Sequence, residues 1–586
     1  MHNDGIRRHD GKVFVCTAQP KIAAAARVSA VDQGQHSKVG EIVNGISHQR
    51  GRLASYEPGL WRLDGSFMLP VEHFGSEVEV GYISNSVSDE GGFFALPPQI
   101  DIRFDTPQDI ECVTLCFDGA LGEFCAEVRV AGLNSAGRAA FDETIRGNTE
   151  FLAATSIGGR DVVRVVISIL RTANPRRRAR IAEVHFGHVL MFGGEDILEV
   201  NNMRQADIMG RSLPPNRLRA RVLNKGRFSL LEPAGNIRHL SQRMAVEHVH
   251  GIIEEGRALW QHCGNFALDS WTVREGHIDF LAYGQSRGLA EATYLESAFS
   301  LWSLADMARH VAADAGLEVL VADIMERSPG FLRFFGNVNH RAALTAIAQL
   351  ASCVVYEDNM GRLCFADILG PAGDLADNLS YDKLFSQPKI ERRTYYNGVL
   401  LRERTMKVQS GSQVVSLDIR GTQDVVIPFD APVFSGGWAT VSGGFSMSNM
   451  RFFPMYMTAR ISGNGTCNVT VSGNRASFAD IEVFYPAPWK KLGEEEHPYV
   501  VKLPMFLHNI VNMAAMRQWF LQRKFAMMAR RMVCECGWRQ NTALGIGDAV
   551  SMQVDRDGRQ VVGYVTRQDL AFARGVLRGS SHISME

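Results

Sequence analysis

Three segments between residues 217 and 284 alternate apolar and polar side chains, and this alternation limits the fold more than any other feature of the chain. They occupy residues 217–222, 266–273 and 277–282, and residues 274–276 (Arg-Glu-Gly) read as a turn between the last two. A period of two places alternate side chains on opposite faces of a sheet, so each segment is predicted to be a half-buried strand. No acid, base or nucleophile recurs along them at a spacing that suggests catalysis. We therefore interpret this region as scaffold.

A similar pattern precedes and follows this region. Short apolar or alternating runs separated by Gly, Asp, Asn and Pro predict a β-sandwich; they lie at 101–104, 113–117, 124–130, 162–170 and 180–186. Residues 375–500 return to short strands punctuated by glycine pairs. Residues 1–55 are polar and weakly patterned, so we expect an N-terminal arm that becomes ordered only against a neighbouring subunit.

Helical periodicity appears after residue 300. One helix is predicted from an apolar stripe at helical spacing, with Ser300 as a possible N-cap and Gly316 just past its end. The stripe comprises Leu301, Leu304, Ala305, Ala308, Val311 and Ala312. A second stripe, with Asn339 as candidate cap, comprises Leu344, Ile347, Ala348 and Ala351, and a hairpin at 354–365 follows it. A long last helix is predicted from near Leu507, with one face formed by Leu507, Val511, Ala514, Leu521, Phe525 and Met528.

The composition of the chain limits which kinds of partner and cellular location are expected. The 586 residues are enough for several domains, and 62 Lys+Arg against 63 Asp+Glu give no electrostatic argument for nucleic acid or an anionic membrane. The N-terminus has no apolar stretch typical of a secretion signal, and no run approaches the ~18 apolar residues of a membrane helix. The ten cysteines lack zinc-site spacing, so Cys534 and Cys536 are interpreted as small buried residues in a protein that assembles in a reducing cytoplasm.

The chain contains none of the common catalytic or nucleotide-binding motifs, neither HExxH, GxSxG, the Walker sequence nor a GxGxxG ahead of a helix. His248 and His250 lie on one face of a predicted strand and would supply half of a metal site, but no third ligand is identifiable. We interpret them as polar residues on a solvated face. No catalytic, cofactor-binding or metal-binding residue is assigned, and we expect folding to need neither metal nor cofactor.

Three other groups have alternative functional interpretations. Four acidic residues could furnish a carboxylate pair for glycoside hydrolysis, namely Glu123, Glu127, Asp142 and Glu143. A basic cluster could contact phosphate, although a solvated strand start is the preferred interpretation; it comprises Arg176, Arg177, Arg178 and Arg180. Aromatic residues of the sandwich could stack on a sugar, although core positions are more usual; they are Trp61, Phe67, Phe93 and Phe94.

The order of these pieces resembles siphophage tail-tip and baseplate hub proteins, the family that shares a pair of barrels with contractile-tail hubs and type VI secretion spikes. Seven phrases carry the resemblance: LWRLDGSF at 60–67, RIAEVHFG at 180–187, the segment 196–231 that begins DILEVNNMRQADIMG, FALDSWTVREGHIDFLAYG at 266–284, CVVYEDNMGRLCF at 353–365, GWRQNTALGIGDAV at 537–550 and YVTRQDL at 564–570. Their order is more specific than any single phrase.

The resemblance implies a mainly β, multidomain fold with a β-sandwich, two β-barrels split in sequence, an interposed α/β module and a long helix. The barrels are expected to combine 196–290 with part of 375–430, and 532–575 with strands near 390–405. The expected domains are an N-terminal arm at 1–55, a carbohydrate-module-like sandwich at 56–192, a hub barrel at 196–290, the α/β module at 291–372, a β-rich hub region at 373–504, and the long helix with closing strands at 505–580.

The function that the resemblance implies is structural. We expect a non-enzymatic component of a phage or prophage tail that forms a homo-oligomeric ring, in this family usually a trimer, and closes the tail tube. The expected neighbours are the tail tube or distal tail protein and the tail-tip or fibre proteins. Two alternatives remain at this stage: an adsorption protein that binds a host-surface glycan through the sandwich, and a polysaccharide-degrading tail enzyme.

Overall fold

The computed structural model describes residues 8–16, 22, 25–43, 53–60, 67, 80–118, 121–224, 240, 242–254, 257–294, 301–332, 338–369, 375–385, 387–501, 513–538, 544–555 and 558–585. Strands dominate and helices are few, which confirms the predicted mainly β, multidomain class. None of the helices in these ranges is both long and apolar enough to cross a membrane.

The elements of the first half are almost all strands. Up to residue 192 they are β1 Arg8–Cys16, β2 Ala26–Ala30, β3 Tyr82–Val87, β4 Gln99–Ile110, β5 Val113–Cys116, β6 Cys125–Asn134, β7 Ala139–Arg146, β8 Leu152–Ala154, β9 Gly159–Thr172, β10 Arg178–Ile181, β11 Glu183–Phe186 and β12 Val189–Phe192. Next come β13 Ile197–Gln205, β14 Arg217–Leu223, β15 Ala245–Glu254, β16 Arg257–Val273 and β17 His277–Tyr283. The strands β14, β16 and β17 confirm the three alternating segments.

The second half mixes helices and strands. The central elements are β18 Thr293–Tyr294, β19 Leu301–Trp302, α1 Leu304–Asp314, β20 Val319–Leu320, α2 Asp323–Glu326, β21 Phe331–Leu332, β22 Val338–Asn339, α3 His340–Ala351, β23 Val354–Glu357 and β24 Leu363–Ala366. The remaining elements are β25 Asp377–Leu379, β26 Lys389–Arg392, β27 Gly398–Arg420, β28 Gln423–Pro428, β29 Val433–Val441, β30 Ser446–Phe452, β31 Tyr456–Ser462, β32 Thr466–Pro486, β33 Pro498–Val501, α4 Met513–Ala529, β34 Met532–Gly537, β35 Ala549–Gln553, β36 Gln560–Ala573 and β37 Val576–Met585. Short 3₁₀ helices cover Val39–Val43, Gln285–Ala290 and Tyr381–Lys383.

The chain divides into two compact units that are each discontinuous in sequence. Unit 1 comprises Met1–Asn201, Leu218–Ala282 and Ala571–Leu577, and unit 2 comprises Asn202–Arg217, Tyr283–Leu570 and Arg578–Glu586. In unit 1 a five-stranded sheet of order β2-β4-β9-β6-β7 contributes to one apolar core with the short sheets β11-β5-β8 and β10-β3. Inward side chains of opposite sheets meet there: the rings of Phe104 and Phe186 pack edge to face with centroids 5.2 Å apart.

The N-terminal segment is the clearest difference from the sequence-based expectation. Strand β1 lies between β12 and β15 and pairs antiparallel with both, and β2 pairs with β4. The prediction that this arm orders only against a neighbouring subunit is therefore wrong for β1 and β2. The pairing of β1 with β15 also replaces the partner that we expected from 375–430.

Unit 2 contains the predicted α/β module, and its local signals are largely correct. The side chain of Asn339 accepts from the backbone amide of Ala342 and caps α3, and β23 and β24 form the predicted hairpin. The cap of α1 is Ser303, which accepts from the amide of Asp306; the predicted cap, Ser300, lies outside the described residues. Gly316 has a φ of +72° just past α1, which a glycine adopts without strain.

A long hairpin dominates the region 398–486. Strands β27 and β32 pair antiparallel from Gly398–Pro486 to Arg420–Thr466. At its far end, β29 joins β32, and the sheet β28-β31-β30 encloses a small separate core that includes Ile427, Met457 and Val471. We refer to residues 413–475 as the tip module.

The last strands of the chain pair within unit 2 with segments far away in sequence. Strand β34 pairs with β26, which agrees with the expected partnership of 532–575 with strands near 390–405, and β35 pairs with β25. Closure of these strands into a barrel stays a prediction. The first part of the predicted last helix, with Leu507 and Val511, lies outside the described residues. Of the predicted face, Met528 is buried and Leu521 and Phe525 pack against the core, whereas Ala514 is exposed.

Candidate functional site

Strand β13 brings a charged side chain into the interior of unit 2. Its burial alternates, so that Val200, Asn202 and Arg204 are all buried. Arg204 is only 1% exposed. A charged group at such a position is costly unless polar partners surround it, so its neighbours define a site.

The partners of Arg204 come from three distant segments. Its guanidinium donates to the side-chain oxygens of Asn359 and Gln568 and lies 3.5 Å from the carbonyl oxygen of Leu544. Asn359 lies in the turn after β23, and Gln568 is fully buried on β36. Just past the end of β13, the amide of Ala206 donates to the carbonyl of Thr566 at 2.8 Å. One side chain thus joins segments that are up to 364 residues apart in sequence.

A buried carboxylate forms the second half of this site. Glu357, at the end of β23, accepts from the backbone amides of Gln285 at 2.7 Å and Ser286 at 3.0 Å. These amides open the 3₁₀ helix, whose free N–H groups favour a negative charge. Burial nevertheless raises the pKa of Glu357 above its ordinary value, against the effect of these hydrogen bonds. Asn216 donates through Nδ2 to the carbonyl of Glu357 at 2.9 Å, and its backbone carbonyl accepts from the amide of Gly284.

We call Arg204, Asn216, Gly284, Glu357, Asn359, Leu544 and Gln568 the junction. Its members come from five phrases that carry the family resemblance, at 196–231, 266–284, 353–365, 537–550 and 564–570. The sequence reasoning missed these residues as a site. Alternation along β13 could have placed Arg204 inward, but nothing local to residue 204 identifies partners so far away in the chain.

A second buried charge, also missed, lies on α4. Lys524 is fully buried among Met516, Phe520 and Met527 on the inner side of this helix. Its Nζ lies 5.4 Å from the ring centre of Tyr499, 5.6 Å from that of Phe520 and 3.9 Å from Sδ of Met527. Burial lowers the pKa of Lys524 to about 7.

The two histidines considered as metal ligands are both in the interior of unit 1. His248 and His250 are each 1% exposed, so their interpretation as residues on a solvated face is wrong. The ring of His250 packs edge-on against Phe572 with centroids 5.6 Å apart. On the adjacent strand Nδ1 of His262 lies 2.9 Å from a carboxylate oxygen of Glu247, whose pKa is raised by burial. Within the described ranges, no three His, Cys, Asp or Glu side chains are arranged to hold a metal ion.

The four acidic residues considered for glycoside hydrolysis are engaged separately. Glu123 pairs with Arg177 at 2.9 Å, and Glu127 lies 3.9 Å from Arg171. Glu143 accepts from the amide of Ser156 at 2.8 Å. The guanidinium of Arg129 lowers the pKa of Asp142, which makes this carboxyl a poor proton donor at neutral pH.

The basic cluster at 176–180 is occupied by contacts within unit 1. Arg176 pairs with Glu90, Arg177 with Glu123, and the guanidinium of Arg178 donates to the carbonyl of Ser84 at 2.9 Å. The predicted strand start is confirmed, since β10 begins at Arg178. These contacts offer no support for a phosphate site.

Arg180 differs from its neighbours because it is only 3% exposed. It forms a two-pronged ion pair with Glu57, which is 2% exposed, and one of the two hydrogen bonds measures 2.7 Å. Burial alone would raise the pKa of Glu57. The hydrogen bond and charge of Arg180 outweigh burial, so this pKa lies below its ordinary value. The pair therefore fixes the segment that precedes the sandwich onto β10.

The aromatic and cysteine candidates in the described ranges are buried or half-buried, except for Phe93. Phe94 is buried, Phe67 is half-buried, and Trp61 lies outside the described residues. Phe93 is 47% exposed, and the guanidinium of Arg171 lies 5.1 Å from its ring centre. Cys534 and Cys536 are buried as predicted, and the nine cysteines in the described ranges whose side chains are placed form no disulfide.

The sequence matches no protein-family model and no curated protein. Solved structures do match it. This chain is similar to phage tail proteins. A tail protein of Neisseria meningitidis MC58 matches with 12% identity and a TM-score of 0.38 over 68% of this chain and 93% of its own. The 43 kDa tail protein of prophage MuSo2 from Shewanella oneidensis matches with 12% identity and a TM-score of 0.35 over 67% and 95%.

A third match is the E. coli c3393 protein, described as a type VI secretion component with structural similarity to the T4 tail proteins gp27 and gp5. It has 7% identity and a TM-score of 0.30 over 67% of this chain and 74% of its own. All three TM-scores lie below 0.5, so these likenesses carry no argument about what this chain does. What this chain does has to be inferred from the contacts of the junction.

Proposed function

We propose that this chain is a structural, non-enzymatic component of the tail of a phage or phage-derived particle, and that it forms part of the baseplate hub that closes the tail tube. The observation that carries the proposal is the junction. A buried arginine and a buried glutamate bind segments from residues 204, 216, 284, 357, 544 and 568 into one unit. Such a unit fits a hub whose barrels are split in sequence around inserted modules.

The physical character of the junction supports a load-transmitting role. Its polar groups are buried and their contacts are made between elements, so separating any one segment exposes unpaired groups at a cost of about 1–3 kcal/mol each. A network of this kind favours a single rigid arrangement over a deformable one. Rigid arrangement is what a ring at the end of a tube requires when the tail transmits force to the host surface.

The proposal includes a homo-oligomeric ring, in this family usually a trimer, in contact with the tube or distal tail protein on one side and the tail-tip or fibre proteins on the other. Assembly would take place in the host cytoplasm, which agrees with the buried thiols and the absence of disulfides among the described cysteines. The separate engagement of the four acidic candidates favours a structural role over glycoside hydrolysis.

The location can be tested by labelling. A short epitope inserted at Gly137, in the exposed turn between β6 and β7, should leave the strands intact. Gold-labelled antibody should then bind at the distal end of the tail in particles from a lysogen that carries the tagged gene. Label along the tube, on the capsid, or absent from intact particles would contradict the hub role. Light scattering of the purified protein tests the ring, because a strictly monomeric protein in solution and in particles is incompatible with it.

A further inference from the structure

The tip module presents an outer face that is neither part of its core nor part of the junction. Alternation in β27, β29 and β32 sends Ile419, Val469 and Val471 inward. Their neighbours point outward in three rows, which are Trp438, Ser472 and Gln413, then Thr440, Thr470 and Ser416, then Ser442, Asn468 and Asp418. We call these nine residues the outer face.

The outer face combines one exposed aromatic with short polar groups. Trp438 is 47% exposed, and in the described part of the chain no cation or second ring packs on its indole. An exposed tryptophan on a flat sheet is informative, because large apolar side chains are normally withdrawn from water. A second copy or another protein could cover such a residue, but the buried centre of a protein interface is more apolar than its polar rim. Here the surroundings are polar.

The polar rows are held in place by contacts among themselves. Ser416 donates to Oδ1 of Asn468 at 3.0 Å, and Thr470 donates to the same atom at 3.1 Å. Nδ2 of Asn468 donates to Asp418 at 2.9 Å, and its backbone amide donates to Oγ of Ser442 at 2.9 Å. Because these groups are oriented before any ligand arrives, little conformational entropy is lost on binding. Hydroxyl and amide groups also keep spare donors and acceptors toward solvent.

The charge of the outer face limits the chemical class of its ligand. Asp418 is the single ionised group among the nine residues, and the next row of the same face adds one cation, the exposed Arg420 opposite Thr466. One cation beside one carboxylate is not the cluster of Lys and Arg side chains that binds nucleic acid or another polyanion. A sugar ring presents a flat apolar C–H face and a rim of hydroxyls, which match an indole and a row of Ser, Thr and Asn side chains. Three strands about 4.8 Å apart and rows about 7 Å apart give a face of about 10 by 14 Å, enough for a short oligosaccharide.

We propose that the outer face of the tip module binds an uncharged saccharide chain, with Trp438 stacking on a sugar ring and Ser416, Asn468 and Thr470 binding its hydroxyls. The module is carried at the end of the β27–β32 hairpin, whose strands are exposed on both faces around residues 407–411 and 479–482. This inference does not depend on the hub role, since the binding is a property of the isolated protein.

The test is binding of the full-length purified protein to an array of neutral hexose and N-acetylhexosamine oligosaccharides, with sialylated and sulfated glycans on the same array. Trp438→Ala should weaken binding to neutral glycans at least tenfold, and Thr470→Val, which keeps the side-chain shape, should weaken it several-fold. Phe93→Ala is the matched control, because Phe93 has the same 47% exposure on the sandwich. It should leave binding unchanged.

Four outcomes would overturn the proposal. They are no binding to any neutral glycan, binding confined to anionic glycans, equal binding by the parent and Trp438→Ala, and loss of binding in Phe93→Ala rather than in Trp438→Ala. Light scattering of the same variants tests whether a second copy of this chain occupies the outer face. A smaller oligomer for Trp438→Ala would show that a second copy of this chain occupies the outer face, and it would also overturn the saccharide proposal.

Discussion

Replacement of the buried lysine of α4 should stabilise this part of the protein. Lys524 has no exposed surface, and burial lowers its pKa from an ordinary 10.5 to about 7. Between these two values the unfolded chain holds a proton that the folded chain lacks, so stability falls as the pH falls from 10.5 to 7 and is constant below that. The variant Lys524→Met keeps the length and apolar body of the side chain and removes the amine.

The magnitude of the expected stabilisation follows from the two pKa values, 10.5 in the unfolded chain and about 7 in the folded chain. At 1.36 kcal/mol for each tenfold change in proton affinity, the penalty at pH 7 is at most about 4 kcal/mol, and at pH 9 it is about 2 kcal/mol. Loss of amine contacts with the rings of Tyr499 and Phe520 offsets about 1 kcal/mol of this gain. Lys524→Met is therefore expected to gain about 3 kcal/mol at pH 7 and about 1 kcal/mol at pH 9.

The measurement is hydrogen exchange of peptides from α4, read by mass spectrometry for parent and variant in the same buffer at pH 7 and pH 9. Because the chain has two units, a local readout is preferable to a global melting temperature. Lys407→Met, which replaces an exposed lysine of β27, is the control and should change protection by less than about 0.5 kcal/mol. Equal or lower protection of α4 in Lys524→Met at pH 7, or a gain that does not shrink at pH 9, would refute the reasoning.

Three further substitutions test the packing of each unit by thermal or urea unfolding. Glu57→Gln leaves the guanidinium of Arg180 buried beside a neutral amide and should cost about 3–5 kcal/mol at pH 7. The difference should shrink as the pH falls through the lowered pKa of Glu57, and unchanged stability at pH 7 would mean that the pair is solvated. Gly284→Ala directs a methyl group at the carboxylate of Glu357 and should cost about 1–3 kcal/mol, whereas Gly288→Ala in the same 3₁₀ helix meets nothing and should not. Asn339→Ala removes the cap of α3 and should cost about 1 kcal/mol, seen first as faster exchange in its opening turn.

Local signals in the sequence predicted local structure well. Asn339 and the apolar stripe after it correctly predicted α3, and the turn residues 358–361 correctly predicted the β23–β24 hairpin. In both cases the interactions that decide the structure lie within a few residues of one another. The period-two pattern succeeded in β14 and β17 for the same reason, because burial alternates along both strands.

The N-terminal segment could not be predicted in this way. Strand β1 has only nine residues, and its Gly11 gives no apolar signal. That glycine is required by packing, since a Cβ there would lie 2.9 Å from the ring of Phe572. A ring contributed from the other end of the chain thus explains a residue that looks unstructured in isolation. The histidines of β15 were misplaced for a similar reason, because the ring of His250 packs against the same distant Phe572.

The two buried charges of unit 2 show why a candidate site of this kind is invisible in sequence. Arg204 and Lys524 are both cations at positions that face the interior, so the sequence pattern alone does not distinguish them. Their surroundings differ. Arg204 meets oxygens of Asn359, Gln568 and Leu544, whereas the contacts of Lys524 are with aromatic rings and a thioether. The oxygens around Arg204 accept from its guanidinium and tie distant segments together, whereas burial of Lys524 favours its neutral form. An arginine stays charged at any physiological pH, so Arg204 holds the junction throughout that range, whereas the stability of α4 depends on pH between about 7 and 10.5.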